Sequence, residues 1–197
     1  MKIQSRTLHS LKVGQIGIVH WDVRGLFVAL HACNLASGLE SLKLCNFLAH
    51  SLVIDARTIE VLDSFERLHE LSISSTSVDL DDNHLMQLAK ASPHLRLLHL
   101  NAEYTEVVPK CTFIGLQKLV QFFPKLENLA LRLDARQIPI FSTQPDGEYP
   151  LGLHLCAAPV SNACDVASYL IMLFPAHVVT RYCTIWSEVH ELFKHVI

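Results

Sequence analysis

Twelve histidines and six cysteines in 197 residues are the side chains from which a metal centre or a nucleophilic site would be built. The nearest approach to a zinc motif is HELFKH, residues 190–195. The second histidine of HExxH must fall at i+4 to share a helix face. That position is Lys194, and His195 comes one residue later. A step of five residues turns about 140° around the helix, so the two rings cannot grip one ion. DLDD, residues 79–82, lacks the glycine turn and distal glutamate of a calcium loop, and reads as the acidic start of a helix. Cys156 and His154 stand two apart, the spacing that shares a strand face. Neither a glycine elbow nor an orienting carboxylate accompanies them. The sequence therefore assigns no catalytic residue, no metal site and no cofactor.

Composition sets further bounds. Half the chain is apolar, 18% is charged and the net charge is −3, which describes a single globular domain rather than a basic nucleic-acid binder. Cys33, Cys45, Cys111, Cys156, Cys164 and Cys183 include no CxxC pair and mostly lie in apolar runs. The expectation is free, mostly buried thiols in a reducing compartment. No Asn-x-Ser/Thr acceptor occurs, and residues 1–14 lack the apolar core of a signal peptide. The longest apolar run, 166–179, is broken by Pro175 and is too short for a membrane span. The expected location is cytoplasmic or nuclear, with neither membrane nor nucleic acid as partner.

The elements that would position any site come from a repeat. The pattern L-x-x-L-x-[LIV] starts at Leu8, Leu39, Leu68, Leu95 and Leu126, and a looser copy at Pro150 keeps Leu153 and Leu155. The spacings of 31, 29, 27, 31 and 24 residues are those of a repeat architecture. Apolar residues at helical spacing fill the gaps, predicting helices over 22–33, 56–65, 81–91, 112–123 and 163–174. Asp22, Thr58, the Asp81–Asp82 pair, Thr112 and Asp165 are the expected caps. Pro93, Pro124 and Pro175 stop three of the helices. In FPKLENLAL (123–131) the period changes from helix to strand just after such a stop.

These residues resemble long, helix-containing leucine-rich repeats, and more narrowly the repeat region of fungal F-box proteins. HLMQLAKASPHLRLLHL (84–100), TFIGLQKLVQFFPKLENLALRLDA (112–135) and DVASYLIMLFP (165–175) carry the resemblance. It implies parallel strands on a concave face, helices on a convex one, and a closing helix such as WSEVHELFKHVI. It also implies a substrate-recognition arm of a ubiquitin-ligase adaptor. Met1 runs into the first repeat by Leu8, so the F-box that would dock the Skp subunit has no room. The expectation is a fragment of a longer adaptor, a paralogue that kept the binding arm without the ligase connection, or a truncated paralogue without retained function. Ubiquitin-ligase components are expected partners only of a longer form. The expected organisation is one α/β solenoid of about six repeats over 1–197, with 1–38 an irregular first repeat and 176–197 a cap.

A doubly wound α/β enzyme, a small hydrolase or transferase, is the competing reading. Its central strands would be apolar on both faces. Here Leu42, Leu44, Leu71, Ile73, Leu98, Leu100, Leu129 and Leu131 alternate with polar residues, and no glycine-rich phosphate loop follows a strand. The outward positions are Ser41, Lys43 and Cys45, then Glu70, Ser72 and Ser74, then Leu97, His99 and Asn101. Asn128, Ala130, Arg132, His154 and Cys156 complete the set. Small, polar and mixed in charge, they suit protein recognition better than an enclosed ligand pocket. Two long loops, 101–111 and 134–150, leave the same ends of their strands. The second offers Ile140, Phe141 and Tyr149 as further contacts. The target protein is not legible.

Overall fold

The computed structural model describes residues 8–15, 23–46, 53–75, 77–102, 108–140, 152–155 and 159–174. The C-terminal cap at 176–197, Asp22, Phe141, Tyr149 and Cys156 lie outside them. Every motif copy becomes a strand. These are β1 (Ser10–Gln15), β2 (Ser41–Asn46), β4 (Glu70–Ser75), β6 (Leu97–Ala102), β7 (Asn128–Leu131) and β8 (Gly152–His154). They form one parallel sheet in the order β1-β2-β4-β6-β7-β8. Strand order follows chain order throughout, with no reversal of the kind that opens a ligand crevice in doubly wound sheets. The chain is α/β, as its alternating periodicities require.

The registration of neighbouring motif copies repeats from step to step. The carbonyl of His9 accepts the amides of Glu40 and Ser41 at 2.8 and 3.0 Å. Glu40 does the same for His69 and Glu70, His69 for Arg96 and Leu97, and Arg96 for Glu127 and Asn128. Glu127 then takes the amide of Gly152. Each acceptor is the second residue of its motif copy. One carbonyl oxygen has two lone pairs, so this doubled bond satisfies two amides and locks the register.

Five helices fill the gaps: α1 (Val23–Ala32), α2 (Ala56–Leu62), α3 (Asp82–Ala91), α4 (Phe113–Phe122) and α5 (Ala163–Leu173). Consecutive helices α1 to α4 pack against one another. The helix-facing side of the sheet is dry: Leu42, Leu44, Leu71, Ile73, Leu98, Leu100, Leu129, Leu131 and Leu153 are all buried. They join Phe27, Ile59, Leu62, Leu85, Leu88, Leu116, Leu119, Leu170 and Leu173 in one continuous core. Burying each such side chain stabilises by roughly 1.5–3 kcal/mol, so no single repeat is self-sufficient.

Helix starts follow a second row of parallel pairs. It comprises the short strands β3 (Val53–Ile54) and β5 (Ser77–Val78) and the bridges Asp81–Lys110, Thr112–Asp134 and Ala135–Val160. Asp81 caps α3 in a capping box with His84, and Thr112 caps α4, as expected. Two expectations are corrected. Asp55, not Thr58, caps α2; it accepts both the amide and the hydroxyl of Thr58, which is buried inside the first turn. Asn162, not Asp165, caps α5. At the other end of α1, Asn34 takes a positive φ of 54°. Leu35 and Asn34 donate to Leu30 and His31 there, closing the helix in a Schellman turn.

Candidate interaction surface

On the opposite side of the sheet the alternating residues are half-exposed or exposed in β1, β2 and β4, and at Leu97 and His99 of β6. Ser41, Lys43 and Glu70, expected separately on this face, are one cluster. Lys43 Nζ lies 2.7 Å from Glu70 Oε2, and the Ser41 hydroxyl donates to the same oxygen at 2.8 Å. The Lys43 bond and then the Ser41 bond hold the Glu70 carboxyl below its usual pKa, against a partial burial that pushes it up. With about two-fifths of each side chain open to water, this pair is worth little in stability. It does set the orientation of both charges.

Ser72 pairs with His99, and His99 with Ala130, which pairs with His154. The two imidazoles lie on either side of Ala130 with ring centroids 6.0 Å apart, edge to face. Ala130, expected in the outward set, is only 2% exposed. A methyl side chain between two rings leaves no path for water. His99 Nε2 is buried with no hydrogen-bond partner. Burial first, then the neighbouring His154 and Lys43, push the His99 pKa below its ordinary value, so the ring is held neutral.

The remaining expected residues distribute as follows. Leu97 and Asn128 pair in register at the strand entrance. Asn101 occupies β6 beside Ser74. Arg132 follows β7, half-buried, and that burial lowers its pKa. Ile140 is 97% exposed and stands apart from the ladder, beside Asp165, Ser168 and Met172 of α5. Lys12 is not in the expected outward set. It holds in the first motif copy the position Lys43 holds in the second, pairs with it in register, and is exposed. The repeat alignment itself was the signal that points to it.

Elsewhere, α3 and α4 are tied at their starts, where Asp82 accepts the amide and hydroxyl of Thr112, each at 2.7 Å. Tyr169 of α5 packs its ring at a tilt against Phe113 with centroids 4.6 Å apart, and its hydroxyl donates to the Phe113 carbonyl at 3.3 Å. The expectation of mostly buried cysteines needs correcting. Cys33 and Cys164 are exposed, Cys45 is half-buried, and only Cys111 of these four free thiols is buried. Short helices leave their outward turns in water, and both exposed cysteines lie at such turns. Among the described residues no group of three or more His, Cys, Asp and Glu side chains could hold a metal ion. No helix among them is long and apolar enough to cross a membrane. No protein-family model, curated protein or solved structure matches the chain.

Proposed function

We propose that the chain is a protein-recognition module, a leucine-rich-repeat solenoid of about six repeats whose half-exposed strand face receives a partner protein. One observation carries the reading: the motif strands stack in chain order through the carbonyl of each copy's second residue, doubled at every described step but the last, while one side is buried throughout and the other is half-exposed along most of the sheet. Such stacking produces one long surface, and the outward residues on it are small and polar. The adaptor role that the resemblance implies, a substrate-recognition arm of a ubiquitin ligase, fits such a surface. Among the described residues the non-glycine residue with positive φ is Asn34, at a helix end, so no strained nucleophile there supports a hydrolase or transferase.

The test is affinity capture from extract of the source cells, with substitutions on opposite sides of the sheet. Ser72→Arg places a long side chain on the strand face, and Gln87→Arg places one on the exposed side of α3. A partner retained by the native chain and by Gln87→Arg, and lost with Ser72→Arg, is the expected outcome. Capture that ignores both substitutions contradicts the reading. So does turnover of acyl or phosphoryl substrates that stops when Cys156 is replaced. The adaptor role has its own arm: a longer product carrying an F-box should retain a Skp subunit.

A further inference from the structure

The register of the parallel sheet sets one straight row across its exposed side. Lys12 lies beside Lys43, Lys43 beside Ser72, Ser72 beside His99, His99 beside Ala130, and Ala130 beside His154. Lys12 and Lys43 are cations, His99 and His154 are imidazoles that can take up a proton, and none of the six carries a carboxylate. At about 4.8 Å per strand the row is roughly 24 Å long. The neighbouring row holds one carboxylate, Glu70, already engaged by Lys43 and Ser41. None of the ion pairs among the described residues engages Lys12.

This arrangement runs against the sign of the whole chain, whose net charge is −3. Like charges directly opposite on neighbouring strands destabilise a sheet, and Lys12 and Lys43 are directly opposite. Glu70 offsets one of the two cations. An anion laid along the row would offset the other, and would favour proton uptake by the imidazoles. The row also crosses the strands instead of extending an edge, so a ligand would meet side chains rather than backbone groups.

We propose that this row is the docking line for an acidic segment of a partner protein, an extended stretch bearing Asp and Glu side chains laid across the strands. The proposal rests on the protein-recognition reading above. A nucleic acid fits less well. The row has two fixed cations, its only rings are the two imidazoles already packed edge to face on each other, and the chain as a whole repels a phosphate backbone.

The experiment is a nuclear magnetic resonance titration of the full chain with hexaglutamate, whose extended length of about 20 Å matches the row. Hexalysine and a thymidine hexanucleotide serve as comparisons. Expected are saturable shifts of the His99 and His154 ring protons with hexaglutamate alone, fading as salt is raised. Lys12→Gln, on an exposed side chain, should weaken that binding about threefold, and Lys12→Gln with Lys43→Gln should abolish it. The proposal is overturned if hexaglutamate leaves both rings unmoved, if Lys12→Gln binds like the native chain, or if the oligonucleotide binds more tightly. A partner held on this face through an uncharged segment would overturn the acidic assignment alone and leave protein recognition standing.

Discussion

Asp82 opens α3 yet holds the start of α4: one carboxylate oxygen accepts the Thr112 amide and the other its hydroxyl, both at 2.7 Å. A charge at a helix N-terminus is favoured by the free amides there, and this one joins two repeats. Its position explains Gly115. A Cβ added at that residue would overlap the Asp82 carboxylate.

Gly115→Ala is therefore expected to lower stability by about 2 kcal/mol, although alanine is the better helix former by about 1 kcal/mol. With Asp82→Ala in place the carboxylate is gone but the Cβ of that residue still lies 3.0 Å from the added methyl, so the same substitution should be close to neutral, within about 1 kcal/mol. Urea denaturation of the four chains in this cycle measures both values. Stabilisation by Gly115→Ala in the native background would show that the carboxylate does not occupy that space.

The His99 ring supplies a pH dependence. Burial, His154 and Lys43 lower its pKa from 6.5, so between the folded value and 6.5 the unfolded chain binds more protons. Stability then rises with pH through that window and is level above it. As pH falls from 6.5 through the folded value, the contribution is lost. His99→Gln should flatten this part of a stability–pH profile measured by urea denaturation. A His99 titration midpoint at or above 6.5 would contradict the account.

Tyr169 joins α5 to α4 through its ring and its hydroxyl. Tyr169→Phe keeps the ring contact with Phe113 and is expected to cost about 1 kcal/mol, the worth of one hydrogen bond. Tyr169→Ala removes a fully buried aromatic and should cost about 3–5 kcal/mol. Thermal or chemical denaturation distinguishes the two. Equal losses from both substitutions would mean that the hydroxyl, not the packing, holds α5.

Thiol labelling reads the fold directly. Cys33 and Cys164 are exposed and should react in the native protein. Cys111 is 1% exposed and its thiol donates to the Leu80 carbonyl at 3.0 Å. Burial, followed by the charges of Asp82 and Asp81, raises its pKa well above that of a free thiol. It should react only on unfolding. Mass mapping of alkylated peptides checks the order, and early labelling of Cys111 would contradict the packing around it.

Much of this architecture is legible in local pattern. Leu42 and Leu44, or Leu98 and Leu100, declare one buried strand face by alternation, and Pro93 and Pro124 mark where helix gives way to strand. The caps were half legible. Thr58 and Asp165 are the polar residues nearest the apolar stripes, but Asp55 and Asn162 stand where the first free amides can reach them. Lys12 was legible from the motif and was passed over. Ala130 was not legible: its burial depends on His99 and His154, 55 residues apart in sequence, meeting on either side of it. The Asp82–Thr112 tie and the reason for Gly115 are likewise products of stacking, which no single repeat contains.

The central claim is that the exposed strand face is the working surface. Site-specific photo-crosslinking in the source cells tests it most directly, with a benzophenone side chain placed at Ser72 on that face or at Gln87 on α3. A discrete protein adduct is expected from position 72 and none from position 87. The same adduct from both positions, or an adduct from position 87 alone, would contradict it.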